Sequence, residues 1–422
     1  MYIWADANAL GLSTGEAMPT EIVRLFGFDG PNLYGPQPSV FLQVRSNKDR
    51  SRRLKDALKD GGQSVGIVIG YLDVASEPAA DGYTITAQFA TPTPLIGVEL
   101  ARYVVAGLNA KEAGDDDWDA EGPLWELQKR RRAQEPPVSA LQISAEAATR
   151  GVPALFRRDG QLQLGYGMRS WSLDLAALKT PSTGLTPADI GIGPPPFARA
   201  PVAVDIPWER LGPIPIIAIA GGAGRDVAAQ LIAAVLYAQG QSAALATPAD
   251  FDATQTLLGE SSAALAVVGL TAAGIAQRGL AFERCAYSAV IDLPAQLPPD
   301  VSDRAELARV LGVPMLVTDA AGRVALNADL PEIVALAEFA PCPVIYISTA
   351  AENTTVGFHR ASGGTALFVR DGAVIAATGP AEQSIASAAL PADELPGALA
   401  ALALLSAMGL TWEQIIPSLA AR

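Results

Sequence analysis

The residues best suited to chemistry form a glycine-rich run, Gly221-Gly222-Ala223-Gly224-Arg225-Asp226, between an apolar run and a helical pattern. Such a strand-to-helix turn is typical of a phosphate-binding loop, because its backbone N–H groups face the anion at the helix N-terminus. An active loop also carries a Lys for the outer phosphates and a Ser or Thr for Mg²⁺. Here Arg225 takes the Lys position and Asp226 the hydroxyl position. Tight packing of a strand against a helix explains the glycines equally well.

The charges of this run disfavour a nucleotide. Arg225 keeps the positive charge, but its planar fork does not reproduce the compact ammonium of Lys. Asp226 is a like charge to phosphate, and two such charges about 4 Å apart repel by about 4 kcal/mol at an effective dielectric of 20. That energy corresponds to about a thousandfold loss of affinity. We therefore expect nucleoside triphosphates to be excluded, unless Asp226 pairs with Arg225 or recruits a metal.

Other reactive side chains are few. His359 is the sole histidine, so no histidine triad or two-histidine metal site can form. Cys285 and Cys342 lack a nearby base and are expected to pack in the core. Asp292 and Asp329 end strand-like or turn segments, positions that can hold a catalytic carboxylate but where a carboxylate more often caps or turns the chain. The sequence predicts no catalytic residue and no metal site.

Composition limits the class of protein. The chain has 422 residues, half of them hydrophobic, so we expect two or three folded domains. The formal charge of −14 argues against nucleic acid, which needs clustered Lys and Arg. Apolar runs are too short or too interrupted to span a bilayer, and two cysteines without a leader pattern indicate the reducing cytoplasm.

The second half of the chain alternates strand-like and helical runs, which predicts an α/β fold with a doubly wound, mainly parallel sheet. The predicted strands are residues 216–220, 263–268, 288–292, 315–318 and 344–347, followed by a hairpin over 365–377. A last apolar helix, 395–410, either packs on this sheet or exposes an apolar face. The first part reads as a small α+β domain, with strands at 40–44, 65–71 and 83–89 and a helix at 97–108.

Several segments from residue 213 onward resemble cyanophycin synthetases, a family of ATP-dependent ligases with a Mur-ligase-like domain. In that family the loop reads G-T-N-G-K-T. Residues 278–285, RGLAFERC, are similar to the family's R-G-L-A-F-D-R-C, and residues 326–331, LNADLP, are similar to its L-N-A-D-D-P. The latter segment lies beside the nucleotide in the family. The resemblance thus implies that Asn327 and Asp329 belong to a nucleotide site, with Asp329 near the ribose or adenine.

Functional positions of this family are altered together, while the flanking sequence stays similar. The loop Lys and Thr are Arg225 and Asp226, the metal-binding Glu is Gly269, and the Asp-His pair of P-D-H-L corresponds to residues 295–296, Ala-Gln. The resemblance therefore implies a degenerate phosphate loop, with neither cofactor nor metal expected. The vestigial nucleotide site would consist of Gly221, Gly224, Arg225, Asp226, Asn327 and Asp329.

The resemblance also implies a domain plan. Residues 30–34, GPNLY, are similar to the family's R-G-P-N-Y-W, and residues 162–167, LQLGYG, resemble the V-Q-L-G-Y-G start of its ATP-grasp module. We expect an N-terminal α+β domain (1–111), a charged linker (112–137), a remnant of the ATP-grasp start (138–178), a Pro-rich connector (179–212) and a Mur-ligase-like central domain (213–422). The chain is expected to lack the ATP-grasp module and the C-terminal lobe.

Two functions fit this plan. The first is a non-catalytic relative of ATP-dependent amino-acid ligases, serving as a scaffold or regulatory subunit. The second is an active amide ligase with a non-standard loop, using ATP and Mg²⁺ and completed by a partner subunit. Both predict a protein partner, either a second copy or a separately encoded ligase or ATP-grasp subunit.

Overall fold

The computed structural model describes residues 20–178, 204–387 and 391–420, which form two compact units. The smaller unit contains the described residues up to Gly27 together with Pro38–Ala133. The larger unit contains Phe28–Gln37 and the described residues from Gln134 onward. Most of the predicted connector, residues 179–203, lies outside the described residues.

The smaller unit is built on a four-stranded sheet in the order β1-β2-β4-β3, in which β4 pairs antiparallel with β2 and β3. Alternate residues of β2 and β4, such as Leu42 and Phe89, face the core, because successive side chains of a strand point to opposite faces. Leu58 and Leu100 cover them from two helices. The elements are β1 Glu21–Phe28, β2 Ser39–Ser46, α1 Ser51–Val65, β3 Leu72–Ala79, β4 Gly82–Ala90, α2 Pro94–Ala113 and α3 Glu121–Gln134.

In two stretches of this unit the secondary structure differs from the one predicted from the sequence. The strand predicted at residues 65–71 is wrong: Val65 is the last residue of α1, and Gly66 ends that helix with a φ of 80°. The next strand, β3, begins only at Leu72. The stretch predicted as a charged linker contains α3, whose Leu127 is buried in the core of the unit.

The larger unit begins with a small antiparallel sheet, β5-β6-β7, that packs against α4 and α5. Its elements are α4 Val138–Thr149, β5 Ala154–Phe156, β6 Gln161–Leu164, β7 Trp171–Asp174 and α5 Leu175–Leu178. This region was predicted as the remnant of an ATP-grasp start, and that origin stays a prediction.

A nine-stranded sheet dominates the larger unit, in the order β16-β15-β14-β13-β12-β11-β8-β10-β9. From β9 to β14 in this order, each strand is parallel to its neighbours. The two strands at the other end, β15 and β16, pair antiparallel. The predicted doubly wound, mainly parallel α/β fold is confirmed. The strands are β8 Ile216–Ala220, β9 Ala243–Ala249, β10 Leu265–Leu270, β11 Cys285–Val290, β12 Thr318–Asn327, β13 Val344–Ser348, β14 Thr365–Arg370, β15 Ala373–Thr378 and β16 Ala381–Ser387.

Helices cover both faces of this sheet. Ile217 and Ile219 of β8 pack with α6 and α13, whereas Ile216 and Ala218 face the cluster that includes α7, α8 and α9. Strands buried on both faces read as continuous apolar runs, as β8 does. The helices are α6 Ala223–Ala238, α7 Phe251–Leu258, α8 Ala272–Arg278, α9 Arg304–Leu311, α10 Val313–Leu316, α11 Pro331–Val334, α12 Thr354–Ala361, α13 Leu395–Ala407 and α14 Trp412–Ala420.

The last apolar helix packs against its own sheet. Leu399 and Leu404 of α13 are fully buried, with α6 and strands β11 to β14 as neighbours. Of the two alternatives for this helix, packing on the sheet or an exposed apolar face, the structure shows the first. None of the described helices is long and apolar enough to cross a membrane.

One predicted strand of the sheet is misplaced. Residues 315–318 were expected as a strand, but Met315 lies in α10 and β12 begins at Thr318. Pro314 at the start of α10 explains the error, because Pro is pre-organised for a first helical turn. A short apolar run does not distinguish a buried strand from a buried helical turn.

Strand order fixes where a ligand site belongs. Strand β8 lies between β10 and β11, while the chain runs from β8 out to β9, back to β10, and then crosses to β11. The order therefore reverses at β8. Ligands of open α/β sheets bind outside the carboxyl ends of the strands at such a switch point. The loop between β8 and α6 occupies this position.

Candidate functional site

The loop that joins β8 to α6 begins with Gly221, whose φ of 155° suits glycine. A Cβ on Gly221 would collide with Oδ1 of Asp292. Glycine at this position therefore lets Asp292, which follows β11, approach the loop backbone. The sequence pattern suggested either a phosphate loop or tight packing, and the structure has a carboxylate at the loop.

The Asp292 carboxylate accepts two backbone hydrogen bonds at the start of α6. Its Oδ1 accepts from the Gly222 N–H at 2.6 Å, and its Oδ2 accepts from the Gly224 N–H at 3.2 Å. Backbone N–H groups at this place in a phosphate loop hold phosphate oxygens. A negative group there also interacts favourably with the dipole of α6. An internal anion thus occupies the anion position of the loop.

Arg225 is turned toward its own loop. Its Nε and Nη2 donate to the two carboxylate oxygens of Asp226, at 3.0 and 2.7 Å, and its Nη1 donates to the Gly221 carbonyl at 3.0 Å. The residue is 9% exposed. A two-point guanidinium–carboxylate pair is among the stronger polar contacts in proteins. The charge at the Lys position is therefore neutralised inside the loop.

Asp226 is held by two neighbours. Besides the pair with Arg225, its Oδ1 accepts a hydrogen bond from the Thr247 hydroxyl, near the end of β9. Burial alone would raise the pKa of the Asp226 carboxyl, but the hydrogen bonds from Arg225 and Thr247 and the Arg225 charge outweigh it, and the pKa is lowered. The pairing that the sequence argument left open is present, so repulsion by Asp226 is offset, and Asp292 becomes the anion that opposes phosphate.

The position of the family's metal-binding Glu is closed by neighbouring side chains. Gly269 lies in β10, and a Cβ there would collide with Oγ1 of Thr247 and lie 2.6 Å from its Cβ. The same atom would be 3.3 Å from Cγ of Arg225. Among the described residues, no group of three His, Cys, Asp or Glu side chains could hold a metal ion.

Asn327, at the end of β12, connects two strand ends. Its side chain is buried, with the residue 4% exposed, and its Nδ2 donates to the Ile291 carbonyl at 2.8 Å. Its Oδ1 accepts from the Asp329 N–H at 2.9 Å. Since Ile291 precedes Asp292, Asn327 supports the backbone that presents the Asp292 carboxylate to the loop.

Asp329 has both carboxylate oxygens engaged. Oδ1 accepts from the Ser348 hydroxyl at 2.5 Å and from Asn353 Nδ2 at 3.0 Å. Oδ2 accepts from the Thr349 N–H at 2.7 Å and the Thr349 hydroxyl at 2.9 Å. Four hydrogen bonds use the acceptor capacity of a carboxylate. Asp329 therefore fastens the loop after β13 and the start of α12.

The six predicted site residues lie along one edge of the sheet. Four of them lie in the loop after β8 and the first turn of α6, and Asn327 and Asp329 connect to that loop through the backbone of Ile291 and Asp292. The sequence pattern placed Asp292 where a carboxylate can be catalytic but more often caps or turns the chain, and it did not identify Thr247. A carboxylate immediately after a strand that neighbours β8 was the available signal for Asp292.

Comparison with known proteins shows similarity to cyanophycin synthetases over part of the chain. The chain is 26% identical to a cyanophycin synthetase from Synechocystis sp. over 178 residues, which are 38% of this chain and 20% of that protein. It is 31% identical to the cyanophycin synthetase of Crocosphaera subtropica over 118 residues, 28% of this chain and 14% of that protein. The matched segments thus span a small part of these relatives.

Solved structures with similar folds include MurF from Acinetobacter baumannii, with a TM-score of 0.38 and 12% identity, over 49% of this chain and 45% of that one. A pseudomurein peptide ligase type C from Methanothermus fervidus has a TM-score of 0.38 and 13% identity, over 50% of this chain and 49% of that one. These TM-scores are low, so the fold assignment rests on the strand order described above.

Over the matched segments the chain is thus a relative of cyanophycin synthetases. The chain belongs to the family described as a domain of unknown function (DUF4938), whose model matches residues 19–347. That match covers most of the chain, including β8, the loop after it, Asp292, Asn327 and Asp329.

Proposed function

We propose that this protein is a non-catalytic relative of ATP-dependent amino-acid ligases that acts as a scaffold or regulatory subunit of a ligase or biosynthetic complex. The observation that carries the proposal is the Asp292 carboxylate on the amides of Gly222 and Gly224. In an active loop such amides hold phosphate oxygens. Because the same amides do not hold two anions at once, ATP would have to displace Asp292.

Displacement of Asp292 is unfavourable for two reasons. A carboxylate that leaves the amides but stays about 4 Å from a phosphate repels it by about 4 kcal/mol at an effective dielectric of 20, about a thousandfold in affinity. The nearest compensating charge, Arg225, is already paired with Asp226 and the Gly221 carbonyl. Freeing the guanidinium would break three hydrogen bonds.

The metal side of the site supports the same proposal. Mg²⁺ needs oxygen ligands in near-octahedral geometry. Gly269 offers no side chain, and Thr247 and the stem of Arg225 fill the space beside it. Thr247 directs its hydroxyl to Asp226. We therefore propose that neither ATP nor Mg²⁺ is a cofactor of this protein.

An assay of ATP turnover tests this proposal. Purified protein is incubated with Mg·ATP and mixtures of amino acids or short peptides, and ADP and phosphate are measured. We expect no nucleotide turnover above that of buffer. Turnover by the wild-type protein that is lost in both Asp226→Ala and Arg225→Ala would contradict the proposal.

That contradicting result would favour the second candidate, an active ATP-dependent amide ligase completed by a partner subunit. One observation favours it: the Asp226 side chain is 32% exposed and its pKa is lowered, so it is an ionised carboxylate, a ligand type that Mg²⁺ accepts. This function requires Asp292 and Arg225 to leave their present partners.

Either function includes a protein partner, a second copy of the chain or a separately encoded ligase or ATP-grasp subunit. Because α13 is buried, an exposed apolar helix does not support this part of the proposal. It rests instead on the loss of free phosphate and metal groups from a preserved ligase scaffold. Light scattering combined with capture from the native host should recover a dimer or a ligase subunit, and a monomer that captures neither would contradict it.

A further inference from the structure

A cavity of about 560 Å³ lies in the smaller unit, between α1 and the residues that lead into β3. Its volume is within the range of small-molecule sites. All of its lining residues belong to the smaller unit, whereas the residues of the loop after β8 belong to the larger unit.

One side of the cavity is basic. Lys55 and Lys59 are one helical turn apart on α1, and Gln63 follows a turn later, so all three lie on one face of the helix. Neither lysine forms an ion pair with a carboxylate among the described residues. The acidic residues of the same helix, Asp56 and Asp60, do not line the cavity. Two ammonium groups without such an ion pair thus line one cavity in a chain with a formal charge of −14.

Apolar side chains also line the cavity. Ile67, Ile69 and Leu72 line it, and Ile67 is 8% exposed. Covering such a surface with an apolar group gains about 25 cal/mol for each Å² removed from water. A ligand with an apolar part would cover these side chains, which a simple inorganic anion would leave in contact with water.

Tyr71 supplies a further polar group. Its hydroxyl accepts a hydrogen bond from Gln88 Nε2, which leaves the hydroxyl proton available to donate to a ligand. Burial raises the pKa of the Tyr71 phenol, and the nearby Asp73 charge raises it further, so the phenol stays protonated.

We propose that this cavity binds a small amphiphilic anion, with a carboxylate or phosphate group held by Lys55 and Lys59 and an aliphatic or aromatic body against Ile67, Ile69 and Leu72. The proposal goes beyond the proposed function and does not depend on it, because none of these residues belongs to the loop after β8.

The test uses anilinonaphthalene sulfonate, a fluorescent probe that combines an anionic group with an apolar aromatic body. We expect saturable one-to-one binding to the folded wild-type chain at low ionic strength. The double variant Lys55→Gln/Lys59→Gln should bind about tenfold more weakly, because it loses charge-assisted contacts to the anion.

The matched control is Lys48→Gln/Arg53→Gln, which removes the same charge at two exposed residues outside the cavity lining. Lys48 precedes α1, and Arg53 lies about 120–160° around the helix from Lys59 and Lys55. This control should change the dissociation constant by less than about twofold, because exposed charges away from the cavity are screened. Equal weakening in both double variants would show a general charge effect and would overturn the proposal, as would absence of saturable binding.

Competition then identifies the anionic group. Benzoate, phenyl phosphate and neutral benzyl alcohol are each titrated against the bound probe. Displacement by benzoate alone assigns a carboxylate ligand, and displacement by phenyl phosphate alone assigns a phosphate ligand. If benzyl alcohol displaces the probe as well as either anion does, the lysines do not select charge and the proposal is wrong.

Discussion

A single carboxylate, Asp292, does for this loop what a bound phosphate does for an active one. It supplies acceptors for the Gly222 and Gly224 N–H groups and a negative charge at the N-terminus of α6. These groups have no intrahelical partner of their own. The loop is therefore held in a ligand-like arrangement without a ligand.

Replacing Asp292 should expose this role. Asp292→Ala leaves two amides without their acceptor, and we expect a loss of about 1–3 kcal/mol in the free energy of unfolding, measured with urea. Asp292→Asn keeps one acceptor oxygen and should lose less. Asp393→Ala, at an exposed position before α13, is the control and should stay within about 0.5 kcal/mol of the wild type.

The same unfolding measurement with added inorganic phosphate tests whether the amides of the loop bind an anion. Phosphate should restore part of the lost stability in Asp292→Ala, because the vacated amides again have an anion to bind. The wild type and Asp393→Ala should respond to phosphate only as they respond to other salts. An Asp292→Ala variant as stable as the wild type would show that the carboxylate does not hold the loop.

The pair of Arg225 and Asp226 predicts a pH dependence. Because the pKa of Asp226 in the folded chain is lowered from its ordinary 3.8, the unfolded chain binds more protons in acid. The contribution of Asp226 to stability is thus fully present above the ordinary value and is lost as pH falls through the folded-state pKa. The stability difference between wild type and Asp226→Asn should be constant near neutral pH and shrink below 3.8.

Urea unfolding of both proteins across this pH range measures the effect. Thr247→Val is a useful companion, because it removes one hydrogen bond to Asp226 and keeps a similar shape. Thr247→Val should reduce the pH-dependent contribution of Asp226 to the free energy of unfolding without abolishing it. An unchanged difference between wild type and Asp226→Asn from neutral pH to strong acid would contradict the assigned pairing.

At the scale of elements, β9, β10 and α6 meet around Gly269. Thr247 of β9 and Arg225 of α6 fill the space where a side chain on β10 would stand. The sequence predicted the strand, and the resemblance implied that Gly269 stands at the position of a metal ligand, because the apolar run and the family segments are local. It did not predict what replaces the ligand, since Thr247 and Arg225 reach Gly269 only through the packing of three elements.

This packing makes Gly269→Ala destabilising. The added methyl group meets Thr247 at less than contact distance, and overpacking of this kind costs about 1–3 kcal/mol. Gly357→Ala in α12 is the matched control, because its Cβ meets nothing within 4 Å and Ala favours a helix over Gly by about 1 kcal/mol.

The midpoints of thermal and urea unfolding should therefore fall for Gly269→Ala and rise for Gly357→Ala. The double variant Gly269→Ala/Thr247→Gly tests the cause, since removal of the Thr247 side chain opens the space. Its stability loss should be smaller than the sum of the two single losses. If Gly269→Ala is as well tolerated as Gly357→Ala, the space beside β10 is open and a metal ligand there is not excluded.

At the scale of the whole chain, most strands of the parallel sheet were predictable from the sequence, but β9 and the polar network along the strand ends were not. Continuous apolar runs revealed β8, β10 and β13. The errors at residues 65–71 and 315–318 arose where short apolar runs belong to helix ends. The link from the loop through Asp292 to Asn327 joins residues about a hundred positions apart, and no local pattern encodes it.

The most direct test of the central claim is thermal unfolding of the full chain with and without Mg·ATP. A ligand at a hundred times its dissociation constant would add about 2.7 kcal/mol of stability. Because Asp292 and the Arg225–Asp226 pair occupy the loop, we predict no shift of the unfolding temperature beyond that caused by magnesium and an equal ionic strength. A saturable upward shift with Mg·ATP that disappears in Arg225→Ala would contradict the account and show that the loop still binds nucleotide.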